Sequence, residues 1–480
     1  MAFFGRTKEL SDLKNLLNKS SASLVVVRGR RRIGKTRLIE EYASSFKYRY
    51  FFAGLAPRNF SEIKDKDNFE IAQRQRDSFA DQMYNLGISC SRRDEWSSLF
   101  LDVAKYCQKN RTIVFFDEIT WMGMGDTSFL GKLKNAWDFH FSKNLQLILV
   151  LAGSNSAWIE KNILTNSGFL GRISWRLELK ELPLSVCNQF WGTKGALISP
   201  YEKFKILSVT GGIPRYIEEI HPFESAEQNI QRLCFQAEGL LFNEFTNIFA
   251  DIFGTRTQRY EQLVKLLVDG PATMEKVAKL LGRESGGDLS EILDELTQAG
   301  ILSRDFTWKL QAGVVSKLSQ FRLKDNYLRF FLKFIEPHLL KIKSGQVVKI
   351  PANWYSIMGL QFENLVVNSR QELYKLLHLN EEEIVCANPY WHTEGTRRLK
   401  CQIDFLIQTK FNVLYVCEIK FVNQEIGSKI ILEMQDKIKR LHPPRGFSCR
   451  PVLIHVNGIK PSVIQADYFA HIIDFGQLLS

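Results

Sequence analysis

The chain has 480 residues, 45% of them hydrophobic and 24% charged, with a formal net charge of +12. That length exceeds what one core usually supports, so two to four domains are expected, each burying its own apolar centre. No apolar run approaches the roughly 20 residues a bilayer crossing needs, residues 1–6 lack a signal-peptide pattern, and eight cysteines without a C-x-x-C pair argue against a zinc ribbon or disulfide framework. A cytoplasmic protein with no membrane association is expected, and the positive charge favours polyanionic partners, nucleic acid among them, without requiring them.

The apolar, β-branched run at 24–28 leads into Gly29, Arg30, Arg31, Arg32, Ile33, Gly34, Lys35 and Thr36, a complete G-x-x-x-x-G-K-T loop, and then Arg37. A strand ending at Gly29, a glycine turn and a helix over 36–42 would aim backbone N–H groups and a helix dipole at phosphates. Lys35 is then expected at the β- and γ-phosphates of ATP, and Thr36 at Mg²⁺. The polar, charged stretch 57–95 reads as an insertion over the second strand, with its role open.

Residues 113–118 form an apolar strand ending in Asp117 and Glu118. Asp117 is the second metal-binding candidate, and Glu118 is the candidate base that polarises the attacking water. The run 145–152 reads as a buried parallel strand ending near Ser154 and Asn155, candidates to sense the γ-phosphate or orient the water, against an ordinary polar turn. Arg172, after Gly171, is a candidate for stabilising charge on the transferring phosphoryl group, with a surface salt bridge an equal alternative. Pro214, in the turn 211–216, either lies against a purine ring or merely breaks a helix.

These motifs, with the opening Phe4, Gly5, Arg6, Glu9 and Leu10, resemble the AAA+-like ATPases called STAND or archaeal-type ATPases over roughly the first 220 residues. The resemblance implies that Arg6 and Pro214 flank the base of ATP, and that the 145–152 strand lies between the loop strand and the acidic strand, as in the branch of P-loop ATPases carrying an extra catalytic glutamate.

From 256 to 308 the pattern becomes short amphipathic helices, a glycine turn at Gly286 and Gly287, a longer helix over 289–299 and a strand-like ending, which describes a winged helix. Its third helix carries Asp288, Glu291, Asp294 and Glu295, an acidic face that would repel phosphates, so a structural or interdomain role is favoured over DNA reading. Residues 320–331 show apolar positions at helical spacing with basic ones between, read as a helical connector.

The last third holds a second constellation. Asp404 lies in an alternating strand at 402–407, and the strand 413–420 ends in Glu418, Ile419 and Lys420, with Glu418 and Lys420 on one face. Pairing these strands brings Asp404 beside them, giving carboxylates for a divalent metal and a lysine to act on water. Glu363 on a preceding helix offers a third carboxylate, and Gln435 sits on an amphipathic helix over 426–441. The arrangement is similar to the PD-(D/E)xK nuclease fold, with Ile403 where the motif's name records proline.

The resulting expectation is an α/β protein: a P-loop ATPase core with a parallel sheet (1–185), a helical lid (186–250), a winged helix (251–315), a helical connector (316–350) and a restriction-endonuclease-like domain (351–480). Functionally it predicts an ATP- and Mg²⁺-using switch coupled to a nuclease acting on nucleic acid, DNA favoured, with defence against foreign DNA a natural role. The alternative is an ATP-dependent signalling or DNA-binding regulator whose C-terminal domain only binds a partner. A homo-oligomer and a partner protein are both open.

Overall fold

In a computed structural model, residues 3–56, 68–108, 110–253, 256–282, 286–392 and 399–480 are described. The chain folds into two compact units, one of residues 1–181 with 246–258, the other of residues 182–245 with 259–480.

The first unit is built on β1 (Ser23–Gly29), β2 (Tyr48–Ala53), β3 (Thr112–Asp117), β4 (Leu147–Gly153) and β5 (Ile173–Leu179), in the spatial order β2-β3-β4-β1-β5. Every neighbouring pair is parallel. β1, β3 and β4 are apolar along nearly their whole length because helices cover both faces of such a sheet. β4 lies between β1 and β3, as the extra-glutamate branch predicts, so the ends of the loop strand, the acidic strand and the 147–153 strand stand side by side. One core on this sheet is aromatic: Phe52, Phe79, Trp96, Phe100, Phe116 and Phe129 are all buried. Phe79 comes from the helix Asn68–Asn85 and stacks on Phe52 at 4.3 Å between ring centroids, so this part of the insertion does cover the second strand. Residues 57–67 of that insertion lie outside the described residues.

In the second unit, β6 (Leu302–Lys309) and β7 (Val314–Leu323) form an antiparallel hairpin after the helices Thr257–Lys265, Met274–Leu280 and Gly287–Gln298. Acidic side chains of the last helix are engaged within the unit: Asp288 pairs with Arg259, Glu295 takes the Tyr260 hydroxyl, and Asp294 lies 3.3 Å from Arg304. The helical reading of 320–331 is corrected in its first part. Residues 320–323 belong to β7, where Phe321 and Leu323 alternate inward, and the helix starts only at Asn326, capped by the Asp325 side chain on the Leu328 N–H at 3.0 Å.

The second sheet comprises β8 (Ile384–His392), β9 (Cys401–Thr409), β10 (Val413–Ile419), β11 (Ser448–His455) and β12 (His471–Asp474), in the order β12-β11-β10-β9-β8. β8, β9 and β10 pair antiparallel, whereas β10, β11 and β12 pair parallel. Alternation along β10 sends Cys417 and Ile419 into one core and Leu414 and Val416 into the other. The segment expected as a helical lid (186–250) contributes to the first of these cores: Phe204 meets Phe362 at 5.1 Å between centroids, and Tyr201 stacks on Phe421 at 4.9 Å. Polar contacts join the same segments, with Lys203 Nζ donating to the Leu479 carbonyl at 2.5 Å and Glu372 accepting from the Leu184 N–H at 3.0 Å.

Candidate functional site

The loop after β1 has a backbone only part of which suits ordinary residues. Gly29 has φ 152°, Arg32 φ 64° and Gly34 φ 94°. A Cβ on Gly29 would lie 2.6 Å from the Leu179 carbonyl oxygen, so the close approach of β1 to the end of β5 requires glycine there. The helix Lys35–Ala43 starts one residue earlier than expected and points its N-terminus into this turn. Successive N–H groups in such a turn form a concave nest for an anion, and the helix dipole adds to it. Lys35 is buried, and its ammonium donates to the carbonyls of Gly29 at 3.0 Å and Arg30 at 3.3 Å.

Thr36 and Asp117 come together from different elements, the hydroxyl donating to Asp117 Oδ2 at 2.5 Å. Burial pushes the Asp117 carboxyl up, the Thr36 hydrogen bond opposes that, and Glu118 adds to it. A bound cation would relieve that cost, so hydroxyl and carboxylate fit a Mg²⁺ ion accompanying a nucleotide. Glu118 follows in the left-handed region, φ 48° and ψ 53°, a conformation that costs a non-glycine residue about 1 kcal/mol or more. Its carboxylate is held from one side by Ser154, whose N–H and hydroxyl donate to Oε2 at 3.0 and 2.9 Å, and lies 4.0 Å from Lys35 Nζ on the other. Ser154 therefore engages the candidate base itself. Asn155 caps the short helix Ser156–Ile159 by accepting from the Trp158 N–H at 2.9 Å and donates its amide to the Ile252 carbonyl at 2.8 Å.

Arg6 reaches the loop, donating to the Ile33 carbonyl at 3.3 Å and to the Lys180 carbonyl at 2.6 Å. Arg37 pairs with Glu40 at 3.6 Å on the outer face of the helix, and Arg30 is buried while Arg31 and Arg32 are half-buried. Arg172 is placed differently from expectation. It precedes β5, at the end where Ile173 pairs with Leu24, whereas the loop follows Gly29 beside Leu179. Six residues of strand rise separate these ends by about 20 Å, and Arg172 makes a two-point pair with Asp138 at 2.6 and 2.9 Å. A role at the phosphates of its own chain is thereby excluded, leaving the salt bridge and a role toward a second copy. Pro214 lies in the second unit, at the first position of the helix Pro214–Ile217, and Gly211 (φ 59°) closes the helix Pro200–Thr210 before it.

The C-terminal constellation is gathered by β9, β10 and the helix Lys429–Leu441. Antiparallel pairing sets Cys417 opposite Phe405, so Glu418 and Asp404 are neighbours on the face that this helix covers. Lys420 Nζ lies 2.9 Å from Glu418 Oε1 and 3.3 Å from Glu433 Oε2. Lys437, which sequence reasoning misses in favour of the exposed Gln435, donates to Asp404 Oδ1 at 3.0 Å and to Glu418 Oε2. Asp404 Oδ2 accepts from the Ile419 N–H at 2.9 Å. Burial would lower the ammonium's pKa, but Asp404 and Glu418 outweigh it and hold Lys437 above its ordinary range. Burial and Glu418 push Asp404 up.

Three carboxylates converging on a cation were expected from Glu363, Asp404 and Glu418, and that expectation is corrected. Among the described residues no group of three or more His, Cys, Asp or Glu side chains is placed to hold a metal ion. Lys437 stands between Asp404 and Glu418, its ammonium bridging the two carboxylates. Glu363 instead lines a cavity of about 50 Å³ with Arg322, Asn364, Tyr390 and Gln402. Burial and then Asp404 push its carboxyl up to about 7. Among the described residues, no helix is long and apolar enough to cross a membrane.

Residues 3–220 match the profile of a family described as an ATPase domain predominantly from Archaea. An uncharacterized protein of Methanocaldococcus jannaschii is 24% identical over 398 residues, covering 81% of this chain and 82% of its own length. Among solved structures, the Walker-type ATPase of Pyrococcus abyssi overlaps 69% of this chain and 96% of its own at 16% identity and a TM-score of 0.49. The ORC2 protein of Aeropyrum pernix overlaps 71% and 95% at 12% identity and a TM-score of 0.40. With the loop, the Thr36–Asp117 pair and Glu118 assembled on one parallel sheet, and this profile spanning them, residues 3–220 carry an archaeal-type P-loop ATPase domain.

Proposed function

We propose that the chain is an ATP-driven switch whose C-terminal domain acts on nucleic acid as a metal-dependent nuclease of the PD-(D/E)xK kind. In the first unit, Lys35 and the loop N–H groups are placed to bind the phosphates, Thr36 and Asp117 would hold a Mg²⁺ ion, which would supply neutralisation of phosphoryl charge, and Glu118 is placed to take a proton from the attacking water. Ser154 keeps the Glu118 carboxylate aimed, since two donors on one oxygen fix the direction of the other. The observation that carries the nuclease part is the meeting of Asp404, Glu418 and Lys420 on neighbouring antiparallel strands, with Lys420 Nζ 2.9 Å from Glu418. The net charge of +12 is consistent with a polyanionic substrate. Defence against foreign DNA is one setting for such a chain.

Cleavage of a panel of DNA and RNA substrates, with and without ATP and Mg²⁺, tests the reading. Metal-dependent cutting that Asp404→Ala abolishes while ATP turnover persists is expected. No cutting of any substrate by the wild-type chain would remove the nuclease. One observation favours the second reading, a switch whose C-terminal domain binds without cutting: Lys437 already neutralises the carboxylates.

A further inference from the structure

At the end of the first sheet opposite the phosphate loop, where β1, β3 and β4 all begin, lies a cavity of about 60 Å³. The seven residues of β1 separate it from the loop by about 20 Å of strand rise, so it is no part of the nucleotide site. Its polar lining is Lys19, Ser21, Ser23, Arg111 and Gln146, and the rest is leucine and isoleucine. Ser23 opens β1, Arg111 immediately precedes β3, and Gln146 immediately precedes β4. The parallel register, with Ser23 beside Ile148 and Thr112 beside Leu147, therefore brings these three together from distant parts of the chain.

The rim is held in place. The buried Asn144 donates to the carbonyls of Cys107 at 2.5 Å and Asn110 at 2.9 Å and accepts from the Gln146 N–H at 3.0 Å, so one side chain ties the turn before Arg111 to the turn before β4. No carboxylate lines the cavity, and among the described residues neither the Lys19 ammonium nor the Arg111 guanidinium pairs with one. Two positive charges thus face a concave space with nothing on the protein to balance them. The Ser23 hydroxyl is buried without a hydrogen-bond partner. An unpaired buried hydroxyl is unfavourable, and an acceptor in the cavity would supply the missing bond.

We propose that this cavity binds a phosphate dianion, at a site separate from the nucleotide site. One water needs about 10–15 Å³ of such volume, so the space suits an oxyanion of five heavy atoms and leaves any attached sugar outside. Arg111 offers a planar fork to two oxygens, Lys19 a point charge, and the serines and Gln146 donors for the rest. A carboxylate would leave one cation unbalanced and several donors unused. The same chemistry serves free phosphate and the terminal phosphate of a nucleic-acid strand. The site lies wholly in the first unit and is independent of the nuclease reading of the second.

Titration calorimetry of the nucleotide-free full chain with inorganic phosphate tests this. All proteins carry Lys35→Ala, which removes the ammonium of the nucleotide site. The parent is expected to bind one phosphate with a Kd of about 1 mM or below. Arg111→Gln and Lys19→Gln are each expected to weaken it about tenfold, the lower end of what a hydrogen bond to a charged group contributes. Both side chains are exposed, so thermal midpoints without phosphate should stay near that of the parent, and either variant decides the matter where the other does not fold. A 5′-phosphorylated oligonucleotide that displaces inorganic phosphate where its unphosphorylated form does not would show that the group arrives on a strand end. Displacement by neither assigns the site to free phosphate. Equal displacement by both would mean that a backbone diester suffices and would overturn the dianion. A parent that takes up no phosphate, or one whose affinity survives unchanged in Arg111→Gln and Lys19→Gln, would overturn the site itself.

Discussion

Ser154 binds Glu118 twice through one oxygen, by its N–H at 3.0 Å and its hydroxyl at 2.9 Å. A hydrogen bond to a charged group contributes about 1.5–3 kcal/mol, and the N–H survives replacement of the side chain. Ser154→Ala is therefore expected to lower kcat for ATP hydrolysis about tenfold, the lower end of that range, with little change in nucleotide affinity. Turnover measured beside equilibrium binding of a fluorescent ATP analogue separates the two. An equal loss in affinity would mean that Ser154 contacts the nucleotide.

Lys35 is buried against the loop carbonyls of Gly29 and Arg30 and 4.0 Å from Glu118. Replacing it by Ala removes the ammonium placed to meet the terminal phosphates and takes a cation away from Glu118. ATP hydrolysis should fall by about 10²–10³-fold, the range that removal of a charge-stabilising group gives. Turnover near the wild-type rate would break the assignment of the loop.

The Arg172–Asp138 pair sits at the far end of β5 from the loop. Exposed ion pairs contribute about 0–1 kcal/mol. Arg172→Ala should leave ATP affinity unchanged, as titration calorimetry can verify, and shift the thermal midpoint only slightly. Lost hydrolysis in Arg172→Ala that returns on mixing with Lys35→Ala chains would identify the arginine as a donor to the site of a second copy; weakened ATP binding in dilute protein would contradict the placement given above.

Glu363 supplies a pH dependence. Unfolded, it titrates in the ordinary carboxylate range; folded, burial and Asp404 push it up to about 7. The folded chain thus holds an extra proton between these values. The contribution is complete below the unfolded pKa and is lost as the pH climbs through about 7. Relative to Glu363→Gln, wild-type stability should fall between pH 5 and pH 8, by on the order of 3 kcal/mol at most. Denaturant melts of both proteins across that interval measure the difference, and parallel curves would show that Glu363 titrates normally.

The phosphate loop and its partners are legible in the sequence because each is a local signal: a β-branched run followed at once by glycines at fixed offsets, and, 81 residues after Thr36, an apolar strand ending in an acidic pair. The position of β4 between β1 and β3 follows from the resemblance. Arg172 is misplaced by sequence alone because its reach depends on which end of β5 it occupies, which only the parallel register with β1 decides. Residues 320–323 carry apolar positions that fit two periods at once, and pairing with β6 selects the strand. Lys437 does leave a signal in the sequence. Ile430, Met434 and Leu441 mark the buried stripe of their helix, and the charged residue completing that stripe is the one that meets Asp404 and Glu418.

The register of β1 has a consequence for synthesis. Val25 lies between Val150 on one side and Trp175 on the other, so neither flank of this strand is covered until the chain has grown well past its first hundred residues. Until then the apolar run Leu24–Val27 has only sheet edges to offer, which recruit other strands indiscriminately. The nascent amino-terminal segment should be insoluble and blind to nucleotide, and release from the ribosome before β5 is complete at Leu179 should yield aggregates rather than a smaller working enzyme.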